Sequence, residues 1–329
     1  MYNLFIRVKG GVRMAKKLLA LSGGSVNGNT ETFIKSALMG AEDAGMEVEL
    51  VRVIDLELHT CRNCFPCQAA MKGPDGCIYK DDGGWLIEKV LDCDALLIGA
   101  PIYAVAPAGA MLSMRDRIFG PKLDAASRSL HMGLFEDERL YKRRVGGLIS
   151  VGGAKYTNWT SLGLPVLHTI LFPPDIKVVD QLDINQVAEP GAASLEDDLL
   201  ARCYRLGQHI AAAADSDEEA PWYGEETGDI CPVCHRNVMI MKAGTKDAEC
   251  QICGIKGEIV PFGDGYTVKF PDEQLKLSRL TRAGKQLHAD ENNEIRATKF
   301  MPRKEEVPER MAKYRAYKDC IASPPSRQR

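Results

Sequence analysis

The chain has 329 residues, 45% apolar and 26% charged, with 42 basic and 45 acidic side chains for a formal charge of −3. These are ordinary globular proportions, with enough chain for one large domain and a smaller module. The balanced charge argues against a nucleic-acid or anionic-membrane partner, and no apolar run approaches the roughly 20 residues of a membrane span.

Residues 1–13 carry Arg7, Lys9 and Arg13 without a long apolar core or a cleavage site. Met14 stands directly before the first strand pattern, so the opening segment reads as an extension or an upstream start, and the expected location is the cytoplasm. From 14 to 214, strand and helix patterns alternate. Leu18–Leu21 reads as a buried strand, Glu31–Ala44 as an amphipathic helix stopped by Gly45, and Glu47–Ile54 as a strand near a sheet edge. Ala95–Gly99 and Val145–Val151 read as the third and fourth strands, and Lys177–Val179 opens the fifth. Ser194 with Asp197 resembles a capping box, after which Leu195, Leu199, Cys203, Leu206 and Ile210 mark one helix face. The alternation predicts an α/β fold with a doubly wound parallel five-stranded sheet, order 2-1-3-4-5, and ligand at the strands' carboxyl ends. Residues 121–144 form a charged excursion of the kind that serves as a lid, an interface element or a disordered loop. Residues 215–229 hold seven acidic side chains and no basic one, the composition of a solvated linker. A small cysteine-bearing module over 230–265 and a charged helical tail over 266–329 follow, the last helix opened by Pro308.

Three loops fall at the expected ligand edge. Leu21–Glu31, LSGGSVNGNTE, joins the first strand to the first helix. Its small residues let backbone N–H groups face an anion at the helix N-terminus, and Ser22, Ser25, Asn27, Asn29 and Thr30 add polar side chains. Gly23–Thr30 nearly matches a Walker A loop, but Asn29 replaces the lysine, which argues against a nucleoside triphosphate with magnesium. A hydroxyl- and amide-lined loop without metal suits the terminal phosphate of FMN. After the third strand, Pro101 and Pro107 stiffen a loop that carries Tyr103. After the fourth, Ser150-Val-Gly152-Gly153 lets backbone approach a flat ligand.

Eight of the eleven cysteines fall in two tight sets, and the spacing reads as metal ligation rather than a disulfide framework. Cys61, Cys64, Cys67 and Cys77 form Cys-x2-Cys-x2-Cys-x9-Cys, able to ligate an iron–sulfur cluster, with reduced thiols, zinc or a redox-active disulfide as alternatives. Cys231, Cys234, Cys250 and Cys253 form two Cys-x2-Cys knuckles 15 residues apart, the spacing of a zinc ribbon. Zinc is the favoured ion there, and iron in a rubredoxin-like site is the alternative. His59 reads as packed or solvated rather than ligating, His235 as a surface histidine with a substitute ligand as the alternative, and Cys93, Cys203 and Cys320 as packing residues.

With these pieces in order along the chain, it resembles the NADPH-dependent FMN reductase and iron–sulfur flavoprotein superfamily, which is flavodoxin-like. The resemblance rests on SGGSVNGNTE, GAPIYAVAPAGAMLSMRDRI, SVGGA and the cysteine loop ending CIYKDD, and spans roughly residues 17–210. It implies FMN with Ser22, Ser25, Asn27, Asn29 and Thr30 at its phosphate, Pro101, Ile102, Tyr103 and Ala104 along the ring, and Ser150, Gly152 and Gly153 at its polar edge. It also implies a 4Fe–4S cluster on the first cysteine set and a homodimer or homotetramer. The chain departs from the family at Gly24, where proline is common, and in the nine-residue gap before Cys77. The function expected is electron transfer between FMN and the cluster, with a partner protein or NAD(P)H at the other end. The alternatives are a cluster-free NAD(P)H-dependent FMN or quinone reductase, and a flavin-dependent adaptor docking through the ribbon.

Overall fold

The computed structural model of the protein describes residues 5–8, 11–64, 77–119, 123–124, 137–216, 218–225, 230–318 and 322. An antiparallel hairpin of β1 (Phe5–Val8) and β2 (Gly11–Met14) comes first. Next, β3 (Lys17–Ser22) leads into α1 (Asn29–Asp43) and β4 (Glu47–Arg52). After the cysteine loop come α2 (Gly83–Asp92), β5 (Ala95–Tyr103), the short β6 (Ala106–Pro107) and α3 (Gly109–Met114). The series continues with β7 (Val145–Val151), α4 (Gly163–Leu171), β8 (Lys177–Ile184) and α5 (Asp197–Asp215).

The strands β3, β5 and β7 are apolar on both faces because helices cover both. The sheet order is β4-β3-β5-β7-β8, all parallel, with β6 folded back antiparallel on β5. This is the doubly wound order 2-1-3-4-5 of flavodoxin-like folds. One face buries Leu86, Ile87, Val90 and Leu91 of α2 with Met111, Met114, Leu164 and Leu167. The other buries Phe33, Ile34 and Ala37 of α1 against Cys203, Leu206 and Ile210 of α5. Cys93 and Cys203 pack in these cores, and burial pushes their thiols up to about 11 and about 12.

Three local details differ from the sequence reading. The second strand ends at Arg52 and turns through a 3-10 segment, Val53–Asp55. The third strand runs on past Gly99 to Tyr103. Ser194 does not cap α5: its hydroxyl donates to Gly191 O at 2.7 Å within a separate 3-10 turn, and Leu195 is 81% exposed.

Beyond α5, residues 218–225 of the acidic segment dock instead of standing free. Ala220 is buried, Tyr223 N donates to Val179 O at 2.8 Å on edge strand β8, and the Trp222 ring stacks on His235. The edge of the sheet is thereby covered. A four-stranded antiparallel sheet follows, β9 (Met239–Met241), β10 (Asp247–Cys250), β11 (Lys256–Phe262) and β12 (Gly265–Lys269), and then α6 (Asp272–Lys276). The chain divides into two compact units, Met1–Lys285 and Gln286–Arg329. The second holds most of α7 (Arg282–Ile295) and all of α8 (Val307–Ala316), with Pro308 in its first turn. There Glu306 bridges Arg303 and Arg310 at 2.8 and 2.7 Å. Among the described residues no helix is long and apolar enough to cross a membrane.

Candidate flavin cleft and four-cysteine centre

The loop between β3 and α1 is built as an anion cradle. Gly28 N donates to Ser25 O at 3.0 Å, Gly24 N donates to Ser22 Oγ at 3.2 Å, and Asn27 adopts a left-handed φ of 55°. The first amides of α1 have no intrahelical acceptor, and the helix dipole adds partial positive charge there. Glu31, which sequence reasoning passed over, lies fully buried beneath the loop. It accepts from Arg52 at 2.5 Å, from Lys35 at 2.7 Å and from Asn27 N at 3.3 Å. The Arg52 hydrogen bond outweighs burial, and with Lys35 it holds the carboxyl down to about 2. Two cations thus neutralise the one carboxylate beside the cradle. An acidic residue in a helix's first turn was the available signal for Glu31; its partner Arg52 lies on another strand.

The cleft at this edge has a volume of about 370 Å³, within the roughly 300–1,000 Å³ range of small-molecule sites. Ser25, Asn29 and Thr30 line the end of it at α1, Pro101, Ile102 and Tyr103 one wall, and Gly153, Val187, Ala188 and Pro190 the other. A side chain on Gly153 would come within 2.8 Å of the Ala188 methyl, so only glycine keeps that wall closed. Ser22, Asn27, Ala104, Ser150 and Gly152 are not part of the lining, and Asn27 and Ala104 are exposed. Ser22 and Ser150 are buried, and Gly152 N donates to Ile184 O at 2.8 Å. Asn29 spends its amide on the far wall: Nδ2 donates to Glu189 O at 2.8 Å and Val187 O at 3.4 Å, and Oδ1 accepts from Ala193 N at 3.1 Å. Tyr103 is 66% exposed at the mouth and begins a two-residue hairpin turn to Ala106. Both turn residues, Ala104 and Val105, have positive φ (47° and 74°), which a β-branched residue adopts only under constraint.

Cys61, Cys64 and Cys77 sit on a loop whose neck is clamped by two carboxylates. Asp81 accepts from His59 N at 3.0 Å and Gly83 N at 3.1 Å, and it pairs with the buried Arg117 at 2.9 Å. Asp82 accepts from Glu57 N at 2.7 Å. Burial works to raise the Asp81 pKa, but these amides and the guanidinium prevail and hold it below the ordinary range. His59 stacks on Tyr79 at 4.4 Å between ring centroids. Cys61 Sγ accepts from Asn63 N at 3.4 Å and Cys77 Sγ from Tyr79 N at 3.5 Å. Cys64 is exposed, Cys61 and Cys77 are half-buried, and Cys67 lies outside the described residues. So do Cys320 and residues 121–122 and 125–136 of the excursion.

The second cysteine set converges. All four sulfurs of Cys231, Cys234, Cys250 and Cys253 are buried and lie within 4.8 Å of one another. Cys231–Cys253 and Cys234–Cys250 are each 3.6 Å apart at Sγ. A tetrahedral ion with metal–sulfur bonds of about 2.3 Å sets sulfurs about 3.8 Å apart, so the thiols fit a closed metal site. The two knuckles repeat one pattern: His235 N donates to Cys231 O at 3.0 Å, and Gly254 N to Cys250 O at 2.8 Å. The residue after each second cysteine is left-handed, Gly254 at φ 73° and His235 at φ 53°. His235 is not a ligand. Its ring stacks on Trp222 at 3.9 Å, and burial lowers its pKa to about 4.

A doubly wound sheet with a phosphate cradle and an open cleft at its carboxyl edge defines a flavin-binding oxidoreductase. Residues 16–164 match the NADPH-dependent FMN reductase family. This domain is similar to the FMN reductase and iron–sulfur flavoprotein superfamily, and beyond it the chain carries four cysteines placed to hold a metal ion. It is 29% identical to flavone synthase cfoJ of Aspergillus candidus over 83% of this chain and 87% of that protein. The solved structure of a flavone reductase superposes with a TM-score of 0.75 at 29% identity, covering 94% of this chain and all of that one. An iron–sulfur flavoprotein of Methanocaldococcus jannaschii is 26% identical over 42% of this chain and 63% of its own length, so the chain spans less than two thirds of that relative. The cleft suits FMN: it joins the cradle at α1 to a flat wall at Ile102 and Gly153.

Proposed function

We propose that this protein reduces a planar conjugated carbonyl compound of the flavone type, with FMN in the cleft and NAD(P)H as the electron source. The observation that carries this reading is the extent of the likeness. The flavone reductase matches 94% of the chain, well beyond the flavodoxin-like domain alone, whereas the iron–sulfur flavoprotein matches 42%. FMN held here would supply hydride transfer from NAD(P)H to the conjugated substrate, whose second hydrogen arrives as a proton from solvent. The chain's part is to bind and orient. The α1 amides with Ser25 and Thr30 hold the phosphate, while Pro101, Ile102 and Gly153 flank the ring. Tyr103 offers an aromatic face at the mouth, and exposed Tyr156 and Trp159 stand on the loop that follows Gly153. The test is anaerobic incubation of the FMN-loaded protein with NAD(P)H and a flavone. A product heavier by two hydrogens is expected; NAD(P)H oxidation without it counts against this substrate class.

A second reading, a 4Fe–4S relay on Cys61, Cys64, Cys67 and Cys77, is favoured by the carboxylate-clamped neck and by the amides donated to the Cys61 and Cys77 sulfurs. Such N–H···S bonds favour thiolates and tune clusters. About four irons with matching sulfide per chain after anaerobic purification would support it, and sulfide-free protein would exclude it.

A further inference from the structure

The first knuckle of the metal module ends on the strand that leads into the wall of the flavin cleft. Gln181 on β8 is buried, and both ends of its side-chain amide are engaged. Nε2 donates to Cys234 O at 3.0 Å and to His235 O at 2.9 Å, and Oε1 lies 2.8 Å from His168 Nε2. The two carbonyls fix the amide's orientation, so Oε1 accepts and His168 Nε2 donates. Two residues on, Asp183 faces Arg236 of the same knuckle at 3.8 Å.

Beyond Asp183 the strand becomes the cleft. Ile184 O accepts from Gly152 N at 2.8 Å, Gln186 N donates to Ala154 O at 3.1 Å, and Val187 N to Gly152 O at 3.1 Å. Asn29 of the phosphate cradle then binds the Val187 and Glu189 carbonyls. One continuous run, 181–189, therefore touches the knuckle at one end and forms one wall of the cleft, tied to the cradle through Asn29, at the other. The element with two states is the ribbon itself. Its fully buried core is four thiols with Ile252 and Ile255, flanked by the half-buried Val233, Met239, Phe270, Leu275 and Leu280, and small four-cysteine modules of this kind draw much of their folding free energy from the ion. When it opens, the Gln181 donors lose both carbonyls and Asp183 loses its cation.

We infer that Gln181 is a positioning residue through which metal binding at Cys231, Cys234, Cys250 and Cys253 sets the wall of the flavin cleft, so that metal and FMN bind with positive coupling. The inference rests on FMN occupying the cleft and is independent of the substrate. By linkage, FMN must raise metal affinity by the same factor as metal raises FMN affinity.

The test is FMN titration of the full-length protein by flavin fluorescence quenching, with zinc loaded and with zinc stripped. Stripping is expected to weaken FMN binding about tenfold, within the usual range of coupled sites. Gln181→Ala holding its full zinc content is expected to bind FMN several-fold more weakly than wild type, and stripping it should then weaken binding by less than in wild type. Chelator competition should show zinc held about tenfold more tightly by the FMN-loaded protein. Equal FMN affinities with and without zinc would overturn the inference. If stripping unfolds the whole domain, the zinc-loaded Gln181→Ala protein decides: wild-type FMN affinity there overturns it.

Discussion

The two cysteine sets share the Cys-x2-Cys unit and differ in what holds it. In the ribbon, each pair closes its own knuckle through backbone hydrogen bonds, and the four sulfurs meet in a buried core. In the 61–77 loop, the cysteines hang from a neck that Asp81, Asp82 and Arg117 fasten to the main domain. The first arrangement is placed to close around an ion; the second leaves Cys64 open to solvent. Spacing gives both sets the same chemistry in principle, and the scaffold decides between a structural and an exchangeable role.

That contrast can be broken by mutation. Cys250→Ser should abolish stoichiometric metal and melt the ribbon, since structural zinc supplies folding free energy on the order of 10 kcal/mol in small modules. Trp222, stacked on His235, reports it through a red shift in fluorescence. Cys64→Ser, at an exposed position, should leave the melting curve within about 0.5 kcal/mol of wild type. Next in size, Asp81→Ala strands the buried Arg117 and should cost about 3–5 kcal/mol in denaturant unfolding, showing that the loop's neck is part of the domain.

Glu31→Gln removes the acceptor shared by Arg52, Lys35 and Asn27 N, and should cost about 2 kcal/mol. The pH dependence has a definite sign. The folded carboxyl titrates at about 2, below its ordinary value of 4.5, so its stabilisation is complete above about 4.5 and is lost as pH falls toward 2. Acid melts of wild type and Glu31→Gln should converge over that window. The smallest effect is expected from His235→Gly, which relieves a left-handed residue but loses the stack on Trp222, two opposed contributions of about 1 kcal/mol each.

Much of the fold was legible because it is written locally. Apolar runs give the parallel strands, and the small-residue loop before α1 gives the cradle. The four ribbon cysteines give their own geometry. What escaped depends on partners distant in sequence. Glu31 looked like an ordinary first-turn acid until Arg52 met it across the sheet edge. Asn29 read as a ligand for phosphate, yet its amide ties the cradle to residues 187–193, more than 150 positions away. Segment 215–229 looked solvated because its charges outnumber Ala220, Trp222 and Tyr223, and those three are what dock it.

Reoxidation of the reduced protein tests most directly whether the cleft turns over a flat conjugated substrate at FMN. FMN-loaded protein reduced anaerobically and mixed with a flavone should regain its oxidised flavin spectrum at the rate at which reduced flavone forms. Flavin that stays reduced with the flavone, yet reoxidises at once with a one-electron acceptor, would contradict it.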